Sequence, residues 1–263
     1  MSSSYIIQGG EEGRARLSVL SEVMGPYTGA LLDRAGPWEG LKVLDAGCGA
    51  GDVSRELARR VGPSGSVLGV DGDEVKIAAA WEAGAGLAHL RFAEGDVLDP
   101  PDGPFDLIYA RFLLSHLTDV PAALAALRGR LTPGGRILVE DVDFGGHFVR
   151  PPLPAFEDYV VWYREAAFLR GADAEIGQKL PGLLAEAGFV ALDAKAVNPA
   201  GLEGPVKVIA ALTLEAIAEV LAAERIATRD QVEDALIMLR EAADDPGVFM
   251  SLPRIVQVVG RTP

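Results

Sequence analysis

The stretch Val43-Leu44-Asp45-Ala46-Gly47-Cys48-Gly49-Ala50-Gly51 constrains this chain more than any other. Its apolar run ending in Asp45 has the character of a buried strand. Glycines at 47, 49 and 51 make a turn in which backbone approaches a ligand closely, and Asp52 is placed to cap the helix that follows. Without Cβ atoms, Gly47 and Gly49 do not hold a ligand away. The amides and the positive end of the next helix favour a carboxylate or phosphate. The dinucleotide fingerprint G-x-G-x-x-G needs a glycine at position 52, where Asp52 stands, so a pyrophosphate would meet a carboxylate. The turn therefore suits a cofactor carrying little or no phosphate.

Around this turn, strand and helix patterns alternate. Val53, Leu57, Ala58 and Val61 form one helical face, stopped by Gly62-Pro63-Ser64-Gly65. Strands are predicted over 66–70, 89–92, 105–109 and 136–142, with helices over 74–82 and 120–131 between them. Five such alternations imply right-handed crossovers and a parallel sheet covered on both faces, with ligands beyond the carboxyl ends of the strands. Upstream, Leu17, Leu20, Val23, Met24, Leu31 and Leu32 predict two short helices broken at Gly25-Pro26. Downstream, an aromatic-faced helix is predicted over 153–169, a helix over 179–187, strands over 190–197 and 254–260, and two further helices over 206–223 and 229–242. These extra helices read as lids or substrate walls, or else as added packing or a homodimer face.

The chain is read as one domain over 1–263: N-terminal helices in 1–40, a cofactor-binding core in 41–142, and helical cap insertions in 143–175 and 199–250. A formal net charge of −14 repels a phosphate backbone, which argues against nucleic acid as a partner. Cys48 is the only cysteine, and residues 1–10 lack a secretory pattern. No apolar run approaches the roughly 20 residues of a membrane span. A cytoplasmic protein is expected.

Asp71 follows the glycine turn by about twenty residues and ends a strand, where a carboxylate accepts from both ribose hydroxyls. Asp96 ends the next strand, within reach of an adenine amino group. Here the sequence resembles a family. Residues 43–51 look like motif I of the class I S-adenosylmethionine-dependent methyltransferases, Gly69-Val70-Asp71 like the second motif, and Gly95-Asp96-Val97 like the adenine-binding motif. Phe105-Asp106-Leu107-Ile108-Tyr109-Ala110-Arg111 and Leu131-Thr132-Pro133-Gly134-Gly135-Arg136 are similar to the family's post-strand-four segment and its L-x-P-G-G turn. The resemblance implies a Rossmann-like, doubly wound, seven-stranded and mostly parallel α/β sheet with an antiparallel last strand. It implies S-adenosyl-L-methionine as cofactor. Gly47, Gly49 and Gly51 form the turn at its methionine part, Asp71 faces the ribose, and Asp96 with Val97 faces the adenine. Asp45 and the backbone of Ala110 and Arg111 would lie near its ammonium. Gly72 stands where the family usually has a bulkier apolar residue against the adenine.

In-line methyl transfer requires positioning more than a covalent intermediate, so no obligatory catalytic residue is expected. His116, five residues past Arg111, is the candidate base or substrate donor, with a loss of rate expected near its own pKa. His147, beside Phe144 and Phe148, is a second pocket candidate, and His89 is expected to be a solvated loop residue. Asp99-Pro100-Pro101-Asp102 reads as a turn. Glu140, Asp141 and Asp143 have hard-cation chemistry, but without a carboxylate ending the fourth strand no metal is expected. Tyr159, Trp162 and Tyr163 are core or substrate wall. The Arg14 and Arg16 pair could supply a cation for the cofactor's carboxylate from an N-terminal helix closing on the site. The reading is a small-molecule methyltransferase acting through oxygen, nitrogen or carbon. The alternatives are a cofactor-binding protein or enzyme that transfers no methyl, and an NAD-dependent dehydrogenase.

Overall fold

The computed structural model describes residues 11–263, with side chains from Arg16 onward. Helix α1 (Glu11–Ala35) precedes β1 (Lys42–Ala46), α2 (Asp52–Val61), β2 (Ser66–Asp71), α3 (Glu74–Ala83) and β3 (Leu90–Glu94). β4 (Phe105–Arg111), α4 (Val120–Arg128) and β5 (Leu131–Asp143) complete the regular alternation. A second half follows: β6 (Val149–Arg150), α5 (Pro154–Leu169), α6 (Leu180–Glu186), β7 (Val190–Val197), β8 (Ala200–Gly201), α7 (Ile209–Ala223), α8 (Arg229–Asp244), β9 (Phe249–Ser251) and β10 (Arg254–Arg261). The main sheet runs β3-β2-β1-β4-β5-β10-β7, and only β10 is antiparallel to its neighbours. The strand order reverses between β1 and β4, and it is there that open parallel sheets of this kind form a crevice.

The central strands are buried on both faces, so successive residues enter different cores. On β4, Leu107 and Tyr109 pack with Val43, Leu57, Ile77 and Phe92, while Ile108 and Ala110 pack with Leu44, Ala46 and Val70. The Leu131–Gly135 turn is absorbed into β5 as an irregularity: Phe105 faces Leu131, but Leu107 already faces Arg136.

Three findings depart from the sequence reading. The two expected N-terminal helices are one, because Gly25 and Pro26 sit on the exposed face while Met24, Thr28, Leu31 and Leu32 are buried opposite them. The hydrogen bond that proline cannot make is lost where water substitutes for it, and burial of the other face carries the helix through. Asp52 does not cap α2: Gly51, in a left-handed conformation, is the N-cap, and Asp52 is the first helical residue, paired to Arg55. The short ribbon β6-β9-β8 was not anticipated, being only two or three residues per strand.

The cap has its own core. Phe156, Tyr159 and Tyr163 of α5 meet Leu214, Ile217 and Leu221 of α7 and Val232, Ala235 and Leu239 of α8, an apolar cluster distinct from those on the sheet. Leu20 and Met24 of α1 join Ile209, Leu252 and Ile255, bridging the cap to the start of β10.

Candidate active site

A cleft open to solvent at its mouth lies between the glycine turn and the cap. The turn shows how three similar glycines differ. All have positive φ: 72° at Gly47, 54° at Gly49 and 77° at Gly51. A Cβ on Gly47 would lie 2.9 Å from Leu113, and one on Gly51 only 2.7 Å from Phe92, whereas one on Gly49 would enter space empty to 4 Å. Gly49 therefore lines the cradle a ligand would fill. Gly51 serves packing and the start of α2, and it does not line the cleft.

The acid ending β2 is fastened to that turn. Asp71 accepts the Gly49 amide at 2.9 Å and the Asp73 amide at 3.0 Å, and the Lys76 ammonium stands 4.0 Å away. Asp45, at the end of β1, accepts the Ser54 hydroxyl at 2.5 Å. Burial pushes its carboxyl up to about 6, opposed by the Ser54 bond and the charge of Arg111. Arg111 ends β4, donates to Thr28 at 3.4 Å and lies over the Phe112 ring. Phe112 has a φ of 51°, a strained value for an aromatic residue of the kind that gathers at functional sites. Cys48 lines the cleft, but burial and then Asp45 and Asp71 drive its thiol pKa far up, so it is not a thiolate.

Asp45, Gly47, Gly49, Asp71, Arg111 and His116 thus share one cleft. Gly72, Asp96 and Val97 do not line it. Asp96 is exposed, and its Oδ1 accepts the Leu98 amide at 2.9 Å, the usual work of an Asp in a turn. His116 is buried in a short 3₁₀ turn, Leu114–His116, and burial, then Arg16 and Lys76, push its pKa down to about 4. It is neutral at pH 7 and a weak base, so the loss of rate expected near 6.5 does not follow from this group.

The other histidines are elsewhere. His147 lies among Phe144, Phe156 and Tyr159 outside the lining, with its pKa pushed down to about 3 by burial. His89 bonds the Ala58 carbonyl at 2.8 Å and is half-buried, correcting its reading as solvated. Tyr159 and Tyr163 are both core and wall, and Tyr163 stacks on Phe144 at 3.9 Å between centroids. Trp162 only packs behind them. Arg16 reaches the cleft with its Nε donating to Thr213 of α7 at 3.0 Å; the Arg14 side chain lies outside the described side chains.

The three acids at the end of β5 turn to different partners. Glu140, fully buried, accepts from Tyr109, from Thr28 at 2.6 Å and from Gln257 at 2.8 Å, tying α1 to three strands. Asp141 accepts the Ser115 amide at 3.1 Å, and Asp143 pairs with Arg254. Among the described residues no group of three His, Cys, Asp or Glu side chains is placed to hold a metal. Sequence reasoning found these acids but not their roles. It missed Ser54, Thr28, Thr213 and Gln257 altogether, since their partners are remote in the chain or lack a motif.

This geometry defines a Rossmann-like fold whose glycine turn and strand-ending acids face an enclosed cleft. A family model described as "Methyltransferase domain" matches residues 43–135. The chain is 40% identical over 120 residues to nocamycin O-methyltransferase of Saccharothrix syringae, covering 44% of this chain and 43% of that protein. It is 35% identical over 127 residues to 2-phytyl-1,4-naphtoquinone methyltransferase of Thermosynechococcus vestitus, covering 48% and 54%. The chain thus spans about half the length of these curated relatives. A solved structure, the [4+2]-cyclase SpnF, shares the fold over 90% of this chain and 81% of its own, with a TM-score of 0.56 at 22% identity.

Proposed function

We propose that the protein transfers a methyl group from S-adenosyl-L-methionine to a small organic molecule without a metal. The observation that carries this is the open space above Gly49, inside a cleft bounded by Asp45, Asp71 and Arg111 on one side and an aromatic cap on the other. The cofactor fits this donor set: the cradle has room where a Cβ would intrude, and no phosphate has to pass Asp52. When bound, it supplies an electrophilic methyl on a sulfonium. The chain's own residues bind and orient. Gly47 and Gly49 admit the methionine part, Asp45 and Arg111 take its charged ends, and Asp71 takes the ribose. Phe144, Tyr159 and Tyr163 exclude water from the acceptor side. In a cleft this enclosed, positioning supplies the acceleration.

The relatives that methylate nocamycin and a naphtoquinone support a small acceptor, and the net charge of −14 supports the exclusion of nucleic acid. Among the described residues no helix is long and apolar enough to cross a membrane. The parts from 1–40 to the cap act as one unit in this reading, because α1 and α7 both reach the cleft through Arg16 and Thr213.

Calorimetry with S-adenosylhomocysteine and with NADH tests the cofactor. Micromolar binding of the thioether and none of NADH is expected, and the reverse ends this reading. Motifs of this kind mark a cofactor site and not turnover, so the second reading is a cofactor held without methyl transfer. Incubating metabolite extracts with methyl-labelled cofactor separates the two, since a labelled small molecule excludes it.

A further inference from the structure

We infer that the acceptor half of the cleft selects an apolar molecule that binds through an ionised oxygen, with Arg16 as the residue that receives the charge. This rests on the methyltransferase reading above and names its substrate class. The cleft holds three cations, and two have evident work. Lys76 lies 4.0 Å from Asp71 and 3.8 Å from Asp73, and Arg111 acts on Asp45 beside the glycine turn.

Arg16 is placed differently. Its Nε donates to Thr213 at 3.0 Å, and the Thr213 hydroxyl is itself fixed, donating to the Ile209 carbonyl at 2.7 Å. Its charge acts on Tyr159 of the cap and, together with that of Lys76, on His116. Among the described side chains no carboxylate pairs with it, although the chain carries 38 acidic residues against 24 basic ones. The same cleft is lined by Leu17, Leu20, Phe144, Tyr163, Ile209 and Leu252. A guanidinium with further N–H donors, held half-buried beside such walls, is matched by an occupant that brings an anionic oxygen on an apolar frame.

Such an acceptor also removes the need for a base. His116 is a weak one, with its pKa near 4. An ionised oxygen forms the new carbon–oxygen bond with its own lone pair, the carbon–sulfur bond breaks with its electrons kept by sulfur, and no proton has to leave.

The test is calorimetric, on the full chain saturated with S-adenosylhomocysteine, using 2-naphthoate and its uncharged counterpart 2-naphthamide as probes. Naphthoate should bind at least tenfold more tightly than naphthamide. Arg16→Gln should abolish that preference, Arg16→Lys should keep part of it, and both variants should bind S-adenosylhomocysteine as the parent does. Equal binding of the two probes, no binding of naphthoate, or a tenfold loss of S-adenosylhomocysteine affinity in Arg16→Gln would each overturn the assignment, the last by giving Arg16 to the cofactor. Failure of the parent to bind S-adenosylhomocysteine strikes the methyltransferase reading instead, so the two failures are distinct.

Discussion

The two walls of the cleft are made in different ways. On the sheet side, Asp45, Gly47, Gly49 and Asp71 lie within 27 positions of one another, and each is placed by a short local device: a strand end, a left-handed turn or an amide bonded to a carboxylate. On the cap side, Phe144, Tyr159, Tyr163, Ile209, Thr213 and Leu252 are drawn from more than a hundred positions, the aromatics held by a separate apolar core and Ile209 and Leu252 by the cluster shared with α1. A wall made of backbone geometry tolerates little change, because any side chain added there meets ligand or neighbour. A wall made of packed side chains accepts new shapes if volume is kept.

The contrast is easiest to break at the glycines. Gly51→Val should destabilise the fold by about 3–5 kcal/mol, since a left-handed backbone and a contact 2.7 Å from Phe92 are penalised together. Gly49→Val should cost only about 1–3 kcal/mol, for its φ alone, yet abolish S-adenosylhomocysteine binding. Urea denaturation and calorimetry read the two effects. Similar losses of stability would show that the turn is one packing unit and not part cradle.

The next effect is on pH. His116 titrates at about 6.5 when unfolded and about 4 when folded, so below 6.5 the unfolded chain takes a proton that the folded chain refuses. Its contribution is therefore lost as pH falls from 6.5 towards 4. The stability lost between pH 7 and pH 4.5 should be smaller in His116→Gln than in the parent by about 2–3 kcal/mol. Asp45 acts in the opposite sense between 3.8 and about 6, equally in both proteins. An identical acid loss in the two would mean that His116 meets solvent.

Asp71→Ala removes a charged acceptor from the sheet wall and should weaken S-adenosylhomocysteine by roughly ten- to a hundredfold, about 1.5–3 kcal/mol. Unchanged affinity would relocate the site. The smallest effect belongs to the cap. Thr228→Ala removes the capping box of α8 and should cost about 1 kcal/mol of stability with no change in cofactor affinity, because α8 supports the wall from behind.

The sequence by itself determined the sheet, its glycine turn and the acids at its strand ends. Those depend on period, on turn chemistry and on residues a few positions apart, all of which are local. The family resemblance implied one site for Asp45, Gly49, Asp71, Arg111, Gly72, Asp96 and Val97, and the structure lines one cleft with the first four only. Local signs in the sequence also misled: Gly25-Pro26 looked like a break, and Asp52 like a cap. In the first case burial of the opposite helix face overrode the local preference, and in the second a left-handed glycine took the position. The tertiary structure alone decided which glycine opens onto the cleft, since φ is positive at all three and only their neighbours differ. It alone brought Thr28, Tyr109 and Gln257 onto Glu140, and Arg16 onto Thr213, pairs separated by up to 197 positions. Such contacts leave no periodic trace, because each arises from chain segments that meet only when the helices and strands pack.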